Sequence, residues 1–423
     1  MIGLEITALT HAGEGLGRHN GRAVFVPFAL PGETVRVEIV EERKHYARAR
    51  LVEVLQAAPD RVAPLCPHHF ALEPAAGPGP ARAGLACGGC QLQHLDYAAQ
   101  LAFKTRLVRE QLTRLGGLAD PPVRPALASP QPFNYRNHTQ FALTPTGQLG
   151  FRAAQSHTVV PIAECHLIEP ALAALFPRIA VEPEADVQQA WERITLRAGT
   201  DDDVLVVFEG RPEAPEIEID LPVSAALVRP DGSTLALAGR DYVVLEVRGR
   251  PFRVSAQSFF QVNTLAAELL VGLVLDGLAL TGGEAVLDLY SGVGLFSAFI
   301  APAAGRVVGV EAFAPAVADA AVNLDEFDNV EIYEAAVEAA LPALGGRFDL
   351  AVLDPPRTGC APAALDALAA LNVARIVYVS CDAATLARDL KRLAALGYRL
   401  DWAQPVDLFP QTHHVECVAV LSR

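Results

Sequence analysis

Cys381 lies where the apolar run at residues 377 to 380 gives way to a helical pattern, in the segment VYVSCDAATLARDL. The positive end of a helix favours a thiolate over a thiol, and Asp382 is placed to cap a helix over residues 383 to 396. Cys381 is therefore the expected nucleophile. A partner base stands further on. Glu416 and Cys417 are neighbours in the strand pattern VECVAV, so their side chains point to opposite faces. With Glu416 in the site, Cys417 belongs to the core. His413 and His414, just ahead of that strand, compete for the acid–base role.

A second group of residues reads as a cofactor site. LDLYSGVGLFS, residues 287 to 297, joins a strand to a helix through Gly292 and Gly294, and the next strand ends in Glu311, 23 residues after Asp288. In doubly wound sheets such glycines let the backbone approach a ligand at the carboxyl edge, and an acid at the next strand end accepts from both ribose hydroxyls. Ser297 replaces the third glycine of a dinucleotide fingerprint, which weakens a pyrophosphate reading. S-adenosylmethionine carries no phosphate and is the expected cofactor. The fourth strand runs into DPPRTG, setting Asp354 at the sheet edge, with Pro355 and Pro356 stiffening the loop. A related Asp-Pro-Pro followed by an aromatic marks enzymes that methylate exocyclic amines; here Arg357 follows.

Cys87-Gly-Gly-Cys90, with Cys66 upstream and Cys165 downstream, offers four thiolates to a metal site. Such a set holds zinc or an iron–sulfur cluster, and His68, His69 and His166 could replace a cysteine in a zinc site. Spacing alone leaves the metal open. An odd total of seven cysteines in 423 residues fits metal binding or catalysis in a reducing compartment better than a disulfide framework.

These side chains need scaffolds. Residues 1 to 58 alternate in short apolar runs, AVFVPFAL, ETVRVEIV and ARLVEVL, punctuated by turns, and predict a small β-barrel. Its stretch RKHYARAR interleaves Arg43, Lys44, Arg48 and Arg50 with Tyr46, offering charge to phosphates and a ring to a base, or else a solvated strand edge. Residues 59 to 250 read as a mostly β central domain carrying the cysteine cluster. Within it, residues 75 to 84, AAGPGPARAG, form a loop. Residues 96 to 115 show helical spacing of Leu101, Val108, Leu112 and Leu115, with Lys104, Arg106, Arg109 and Arg114 turned elsewhere. The third domain spans residues 251 to 423. There EAVLDLY, RVVGVE, NVEIYE, FDLAVLD and RIVYVS alternate with Ala-rich helices, the pattern of a doubly wound α/β sheet. The runs at 398 to 408 and 415 to 421 are close enough to pair antiparallel.

A hydrophobic content of 51% over this length fills two or three cores. The net charge of −15 excludes a wholly basic surface, so any nucleic-acid site must be regional. No apolar run reaches the roughly 18 residues of a membrane span, and the chain opens on no signal-peptide pattern. A soluble, cytoplasmic monomer is expected.

Together these residues resemble the RNA uracil-C5 methyltransferases, in the branch with an N-terminal TRAM barrel and a [4Fe-4S] cluster that acts mainly on ribosomal RNA. The resemblance covers nearly the whole chain and rests on HAGEGLGRHNGRAVFVPFALPGETVRV, CGGC, SFFQVN, DLYSGVG, VVGVE, DPPR, SCD and HHVECVAV. It implies a TRAM/OB-like barrel, a central domain with the cluster, and a Rossmann-like methyltransferase domain. It further implies cluster ligands Cys66, Cys87, Cys90 and Cys165, and S-adenosylmethionine contacts from Gln261, Tyr290, Glu311 and Asp354, which Gly292 joins from the motif above. Cys381 is then the nucleophile and Glu416 the base, and the helix at residues 96 to 115 packs on the catalytic domain. One departure stands out: 20 residues separate Cys66 from Cys87 where the family has a short spacer. Loop-closure cost grows only logarithmically, so Cys66 stays in the set. The implied substrate is a uridine of 23S ribosomal RNA, with transfer RNA as the alternative.

The implied chemistry explains the residue types. C5 of uracil is too weak a nucleophile to take a methyl group from a sulfonium directly, so a thiolate first adds at C6. A base must then remove the C5 proton before the cysteine leaves. A paired uridine is out of reach and must be unstacked or flipped, with Phe259 as an aromatic neighbour. Two other readings stay open. An amine methyltransferase acting on nucleic acid or protein needs neither Cys381 nor a C5 base, and an RNA-binding module with a structural cluster leaves Cys381 without a task.

Overall fold

The computed structural model describes residues 1–70, 86–154, 156–181, 193–210 and 218–423. The loop expected at residues 75 to 84 lies outside them. Strands β1 (Ile2–Leu9), β2 (Gly15–His19), β3 (Arg22–Val26), β4 (Thr34–Glu42) and β5 (Tyr46–Gln56) close into a barrel in the order β1-β2-β3-β5-β4. Alternate residues such as Leu4, Ile6, Val24, Val26, Val35 and Val37 fill its interior. The basic stretch leading into β5 stands at the solvated surface with its arginines paired: Arg43 with Glu41, Arg48 with Glu14 and Arg50 with Glu38. Glu14 and Glu38 lie on other segments of the barrel, so the stretch read alone does not show them.

The central sheet contains β6 (His138–Leu143), β7 (Leu149–Arg152), β8 (Val159–Pro161), β9 (Arg193–Ala198), β10 (Val204–Glu209), β11 (Ser224–Val228) and β12 (Thr234–Ala238), in the order β12-β11-β10-β9-β6-β7-β8. A hairpin of β13 (Tyr242–Val247) and β14 (Arg250–Ser255) leads into the last part of the chain. There β15 (Ala285–Leu289), β16 (Arg306–Glu311), β17 (Val330–Glu334), β18 (Leu350–Leu353) and β19 (Arg375–Ser380) run parallel, while β21 (Glu416–Ser422) lies antiparallel between β19 and β20 (Arg399–Val406). The order β17-β16-β15-β18-β19-β21-β20 is the doubly wound sheet that the strand–helix alternation predicts. Its strands are continuous Val, Leu and Ile runs because both faces are covered by apolar clusters.

Eight α-helices among the described residues complete the fold: α1 (Tyr97–Arg114), α2 (Pro170–Leu175), α3 (Thr264–Leu278), α4 (Leu295–Ile300), α5 (Ala314–Asn323), α6 (Val337–Ala340), α7 (Pro362–Ala370) and α8 (Ala383–Ala395). None is long and apolar enough to cross a membrane. Although α1 precedes the central sheet in sequence, it packs against α8 and β20. Its buried face is Gln100, Phe103, Lys104, Leu107, Val108 and Leu112, whereas Leu115 is 49% exposed. The helical spacing therefore misplaces two residues. Lys104, assigned to the polar side, is wholly buried: it pairs with the equally buried Asp407, between β20 and β21, and donates to the Phe409 carbonyl at 3.0 Å. A lysine joins an apolar face when its partner is fixed inside.

Removing one member of such a pair leaves an uncompensated buried charge. Lys104→Met is expected to cost about 3–5 kcal/mol, read as a lower urea midpoint for unfolding of the catalytic sheet. The double change Lys104→Met/Asp407→Leu is expected to restore most of that loss. Equal midpoints for wild type and Lys104→Met would show that the pair contributes nothing.

Candidate active site

Parallel strands present their C-terminal ends at one sheet edge, and that edge collects the singled-out side chains. The turn after β15 carries Tyr290 and Gly292, β16 ends in Glu311, the loop after β18 begins with Asp354, and Cys381 follows β19. Because β21 runs the opposite way, its first residue, Glu416, arrives at the same edge. The β19–β21 ladder ends at the pair Ser380 and Cys417, which brings Cys381, one residue past β19, and Glu416, the first residue of β21, to the same end of the ladder, close enough for the Glu416 charge to act on the thiol. Glu416 lines the cavity above this edge while Cys417 is buried in the core on the other face.

That cavity has a volume of about 930 Å³. Gln261, Tyr290, Gly292, Glu311, Asp354, Cys381 and Glu416 line it, and Cys66, Cys87, Cys90 and Cys165 form part of its wall on the central-domain side. All eleven site residues named from sequence thus meet around one space. Phe259 stands at its rim, 66% exposed. His413 and His414 are turned elsewhere: His413 Nδ1 lies 3.1 Å from Gln91 Oε1, and the His414 ring packs edge-on against Phe409. Burial lowers the pKa of His413 to about 4 and that of His414 to about 3.

The cofactor-type turn is built on backbone demands. Tyr290 and Gly292 have φ of 62° and 55°, the left-handed region, which for a tyrosine is strained. Gly292 N–H donates to Glu311 Oε2 at 3.0 Å and Phe313 N–H to Oε1 at 2.8 Å. Each carboxylate oxygen retains a lone pair for a ligand hydroxyl. Ser297, the departure from the glycine fingerprint, holds Asp288: its N–H and Oγ donate to Asp288 Oδ2 at 3.0 and 2.6 Å. Burial raises the Asp288 pKa to about 6.

Charge is crowded where the reaction would occur. Burial, followed by Asp288 and Glu311, pushes Asp354 up to about 7. Burial and then Asp354 hold Glu416 well above the usual carboxylate range, with Arg357 opposing. The same causes act on Cys381, whose thiol is pushed up to about 12 by burial first, then Glu416 and Asp354. The helix-terminus argument gives the opposite direction, and it is outweighed by burial and by the charges of Glu416 and Asp354. Asp382 caps α8 as the sequence predicts, accepting the N–H groups of Ala384 and Thr385 at 3.0 and 2.8 Å. Arg357, noted in the sequence only as the residue that follows Asp-Pro-Pro, is the cation that opposes the upward shifts of Glu416 and Cys381.

The cysteine wall is made of free thiols. Burial raises Cys66, Cys90 and Cys87, the last to about 11, and neighbouring cysteines add to each shift. Gly89 N–H points at Cys87 Sγ at 3.4 Å and Gln93 Nε2 donates to Cys90 Sγ at 3.1 Å. His69 bridges Cys90 Sγ at 3.8 Å and His94 at 3.1 Å, while His68 Nε2 accepts the Ala163 N–H at 3.0 Å. Among the described residues no three His, Cys, Asp or Glu side chains converge as a ready site for a single metal ion. The donor set itself, four soft sulfurs with N–H groups aimed at two of them, fits a thiolate-bound metal centre.

The profile of the tRNA (Uracil-5-)-methyltransferase family matches residues 224–423, and that of the TRAM domain matches residues 2–52. An uncharacterized RNA methyltransferase of Gloeobacter violaceus is 37% identical over 457 aligned positions, covering 100% of this chain and 96% of that protein. One from Streptomyces avermitilis is 39% identical, covering 99% and 97%. The crystal structure of Pyrococcus abyssi tRNA (uracil-54, C5)-methyltransferase in complex with S-adenosyl-L-homocysteine superposes with a TM-score of 0.73 at 28% identity, over 99% of this chain and 100% of that one.

A thiol raised to about 12 is almost wholly protonated at neutral pH. In the ligand-free protein, Cys381 is expected to react with iodoacetamide at pH 8 at least about a hundredfold more slowly than an unperturbed thiol, accelerating about tenfold per pH unit up to pH 10. Peptide mapping after timed alkylation reads this. Rapid labelling at pH 7 would mean a thiolate already formed.

Proposed function

This chain belongs to the tRNA (uracil-5-)-methyltransferase family, and we propose that it methylates C5 of a uridine in RNA through a covalent bond from Cys381 to C6. One observation carries the reading: the end of the β19–β21 ladder brings Cys381 and Glu416 together into one cavity, at the edge where Asp354, Tyr290 and Glu311 also lie. An amine methyltransferase has no use for a thiol and a buried carboxyl at that spot.

Bound along Gln261, Tyr290, Gly292, Glu311 and Asp354, S-adenosylmethionine supplies the methyl group and a sulfonium charge. Positive charge beside Asp354 favours the anionic forms of Asp354, Glu416 and Cys381 together. Cys381 then gives its proton to water and bonds to C6, and the C5–C6 π electrons pass into an enolate over C5 and O4. C5 bonds to the methyl carbon, leaving the donor sulfur as a neutral thioether. Glu416, as carboxylate, takes the C5 proton; the electrons of that C–H bond restore the double bond as the C6–S bond breaks and Cys381 departs as thiolate. Phe259, exposed at the rim, offers a face on which the unstacked base or its neighbour can lie.

Cys66, Cys87, Cys90 and Cys165 would hold a [4Fe-4S] cluster, with zinc as the alternative; either supplies a crosslink between segments of the cavity wall far apart in sequence. The TRAM barrel and the four-cysteine pattern favour 23S ribosomal RNA as substrate. Transfer RNA is the second reading, favoured by the Pyrococcus neighbour.

Incubation with S-adenosylmethionine and ribosomal or transfer RNA carrying 5-fluorouridine tests the mechanism, because fluorine cannot leave as a proton. A denaturation-resistant adduct mapping to Cys381 is expected with one of the two RNAs. Cys381→Ala is expected to lose at least about 10³-fold in turnover and Glu416→Gln about 10²–10⁴-fold. Unchanged methylation by both variants would remove the proposal. Separately, anaerobically purified protein is expected to be brown, and to lose both colour and RNA binding in Cys87→Ser or Cys90→Ser; a colourless, zinc-bearing, active preparation overturns the cluster assignment.

A further inference from the structure

The reaction leaves one buried carboxylate without a task. Asp389 stands in the interior of α8, 2% exposed, on the buried face that it shares with Leu386, Leu390 and Leu393. A carboxylate in such a place is costly unless its lone pairs are taken up. Oδ2 accepts the Cys360 N–H at 2.8 Å and the Tyr378 hydroxyl at 2.7 Å, and Oδ1 accepts Arg388 Nε at 2.8 Å. Arg388 reaches further, its Nη2 donating to the Thr358 carbonyl at 2.8 Å and to the Cys360 carbonyl at 3.4 Å. Two neighbours on one helix thus clasp the backbone of residues 358 to 360. Gly359 lies within the clasp with φ of 73°, and a Cβ there would stand 2.5 Å from both Asp389 Oδ2 and Arg388 Nη2, so only glycine admits so close an approach.

The clasped residues end the loop that carries Asp354 and Arg357. Its other end is fixed by β18, where the Asp354 N–H donates to the Leu289 carbonyl at 3.2 Å. Between the two anchors Pro355 and Pro356 stiffen the chain, and the Gly359 N–H donates back to the Pro356 carbonyl at 2.8 Å. Arg357 therefore sits on a short span held at both ends. Cys381 directly precedes Asp382, the cap of α8, so the helix that bears the clasp also follows the nucleophile. With a fixed rise of about 1.5 Å per residue, α8 sets how far the Arg357 loop lies from the thiol. A third segment of the site joins at the same point. Burial pushes the Cys360 thiol up to about 12, so it keeps its proton and directs it at the Tyr378 oxygen at 3.5 Å. The sulfur is then left to accept from the Tyr290 hydroxyl, to which it is also hydrogen-bonded. Tyr290 belongs to the strained turn of the cofactor wall.

We propose that Asp389 is a positioning residue, which with Arg388, Tyr378 and Cys360 holds Arg357 and Tyr290 in place relative to Cys381. The inference deepens the reading of the chain as a methyltransferase that works through Cys381, and rests on it. None of the four lines the catalytic cavity, so their effect on it runs through the residues they hold. Arg357 opposes the upward shifts of Cys381 and Glu416. That opposition weakens with distance, and a loop free of the clasp loses it.

The test uses the full-length enzyme carrying Asp389→Asn, which keeps the shape of the side chain and removes its charge. Arg388→Gln is made separately; with its side chain 55% exposed, it leaves the core filled should the first variant fail to fold. Each is expected to lower kcat about ten- to a hundredfold on the RNA that the enzyme methylates, with Kd for that RNA within about twofold. Alkylation of Cys381 by iodoacetamide at pH 9, read by peptide mapping, separates positioning from loosening. A displaced Arg357 opposes the thiol's upward shift less, so labelling is expected to slow about three- to tenfold. A merely loosened structure exposes the thiol and labels faster. Unchanged kcat, or labelling at an unchanged or higher rate, overturns the proposal while wild type still methylates. Failure of the unaltered enzyme to methylate any RNA overturns the methyltransferase reading, and the proposal with it.

Discussion

A lysine and an aspartate, 303 residues apart in sequence and both sealed from solvent, fix one half of the molecule against the other. Desolvating both charges offsets much of their attraction, so the pair matters less as a source of net stability than for the single arrangement it permits. It locks α1 to the loop that precedes β21. Around it, Gln100 and Gln411 exchange hydrogen bonds at 2.9 and 3.1 Å, the backbone amides of Gln91 and Leu92 donate to the Gln411 carbonyl, and Tyr135 donates to the Pro410 carbonyl at 3.0 Å. Every one of these contacts joins a segment before the central sheet to the few residues ahead of Glu416. The position of the proposed base, and hence the shape of the catalytic cavity, is set from outside the catalytic domain.

Within that frame the cavity is tuned to be short of positive charge. Asp288, Asp354 and Glu416 all titrate upward because burial and mutual repulsion disfavour their anions, and Arg357 is the cation that opposes the shift at Glu416 and Cys381. A Cys381 thiol pushed up to about 12 is protonated at neutral pH, and the same burial shifts the Glu416 carboxyl toward its neutral form. A cation bound beside Asp354 would oppose both shifts at once.

The layout was legible in the sequence where the periodicity was strong. The alternating runs before residue 58 mark the barrel, the strand–helix repeat after residue 284 marks the doubly wound sheet, and residues flagged by motif, from Cys66 to Glu416, line one cavity. What stayed hidden depends on neighbours that are distant in sequence. Lys104 looked solvent-facing because Asp407 could not be seen. Arg48 and Arg50 looked available because Glu14 and Glu38 lie on other parts of the barrel. The thiol of Cys381 looked acidic because the helix start is legible locally, whereas the burial and the charges of Glu416 and Asp354 that outweigh it come from distant segments.

The pairing of Ser380 with Cys417, the immediate neighbours of Cys381 and Glu416, makes the placing of those two residues a property of backbone rather than of side-chain choice. Adjacent antiparallel strands stand about 5 Å apart whatever their sequence, so drift in the surrounding residues leaves the spacing untouched. The same ladder is unforgiving of length. One residue gained or lost within β19 or β21 would shift the pairing, turn Cys417 toward the cavity and send Glu416 into the core among leucines and valines. In this part of the chain substitutions can accumulate, whereas insertions and deletions cannot: the sheet acts as a ruler that tolerates repainting but not recutting.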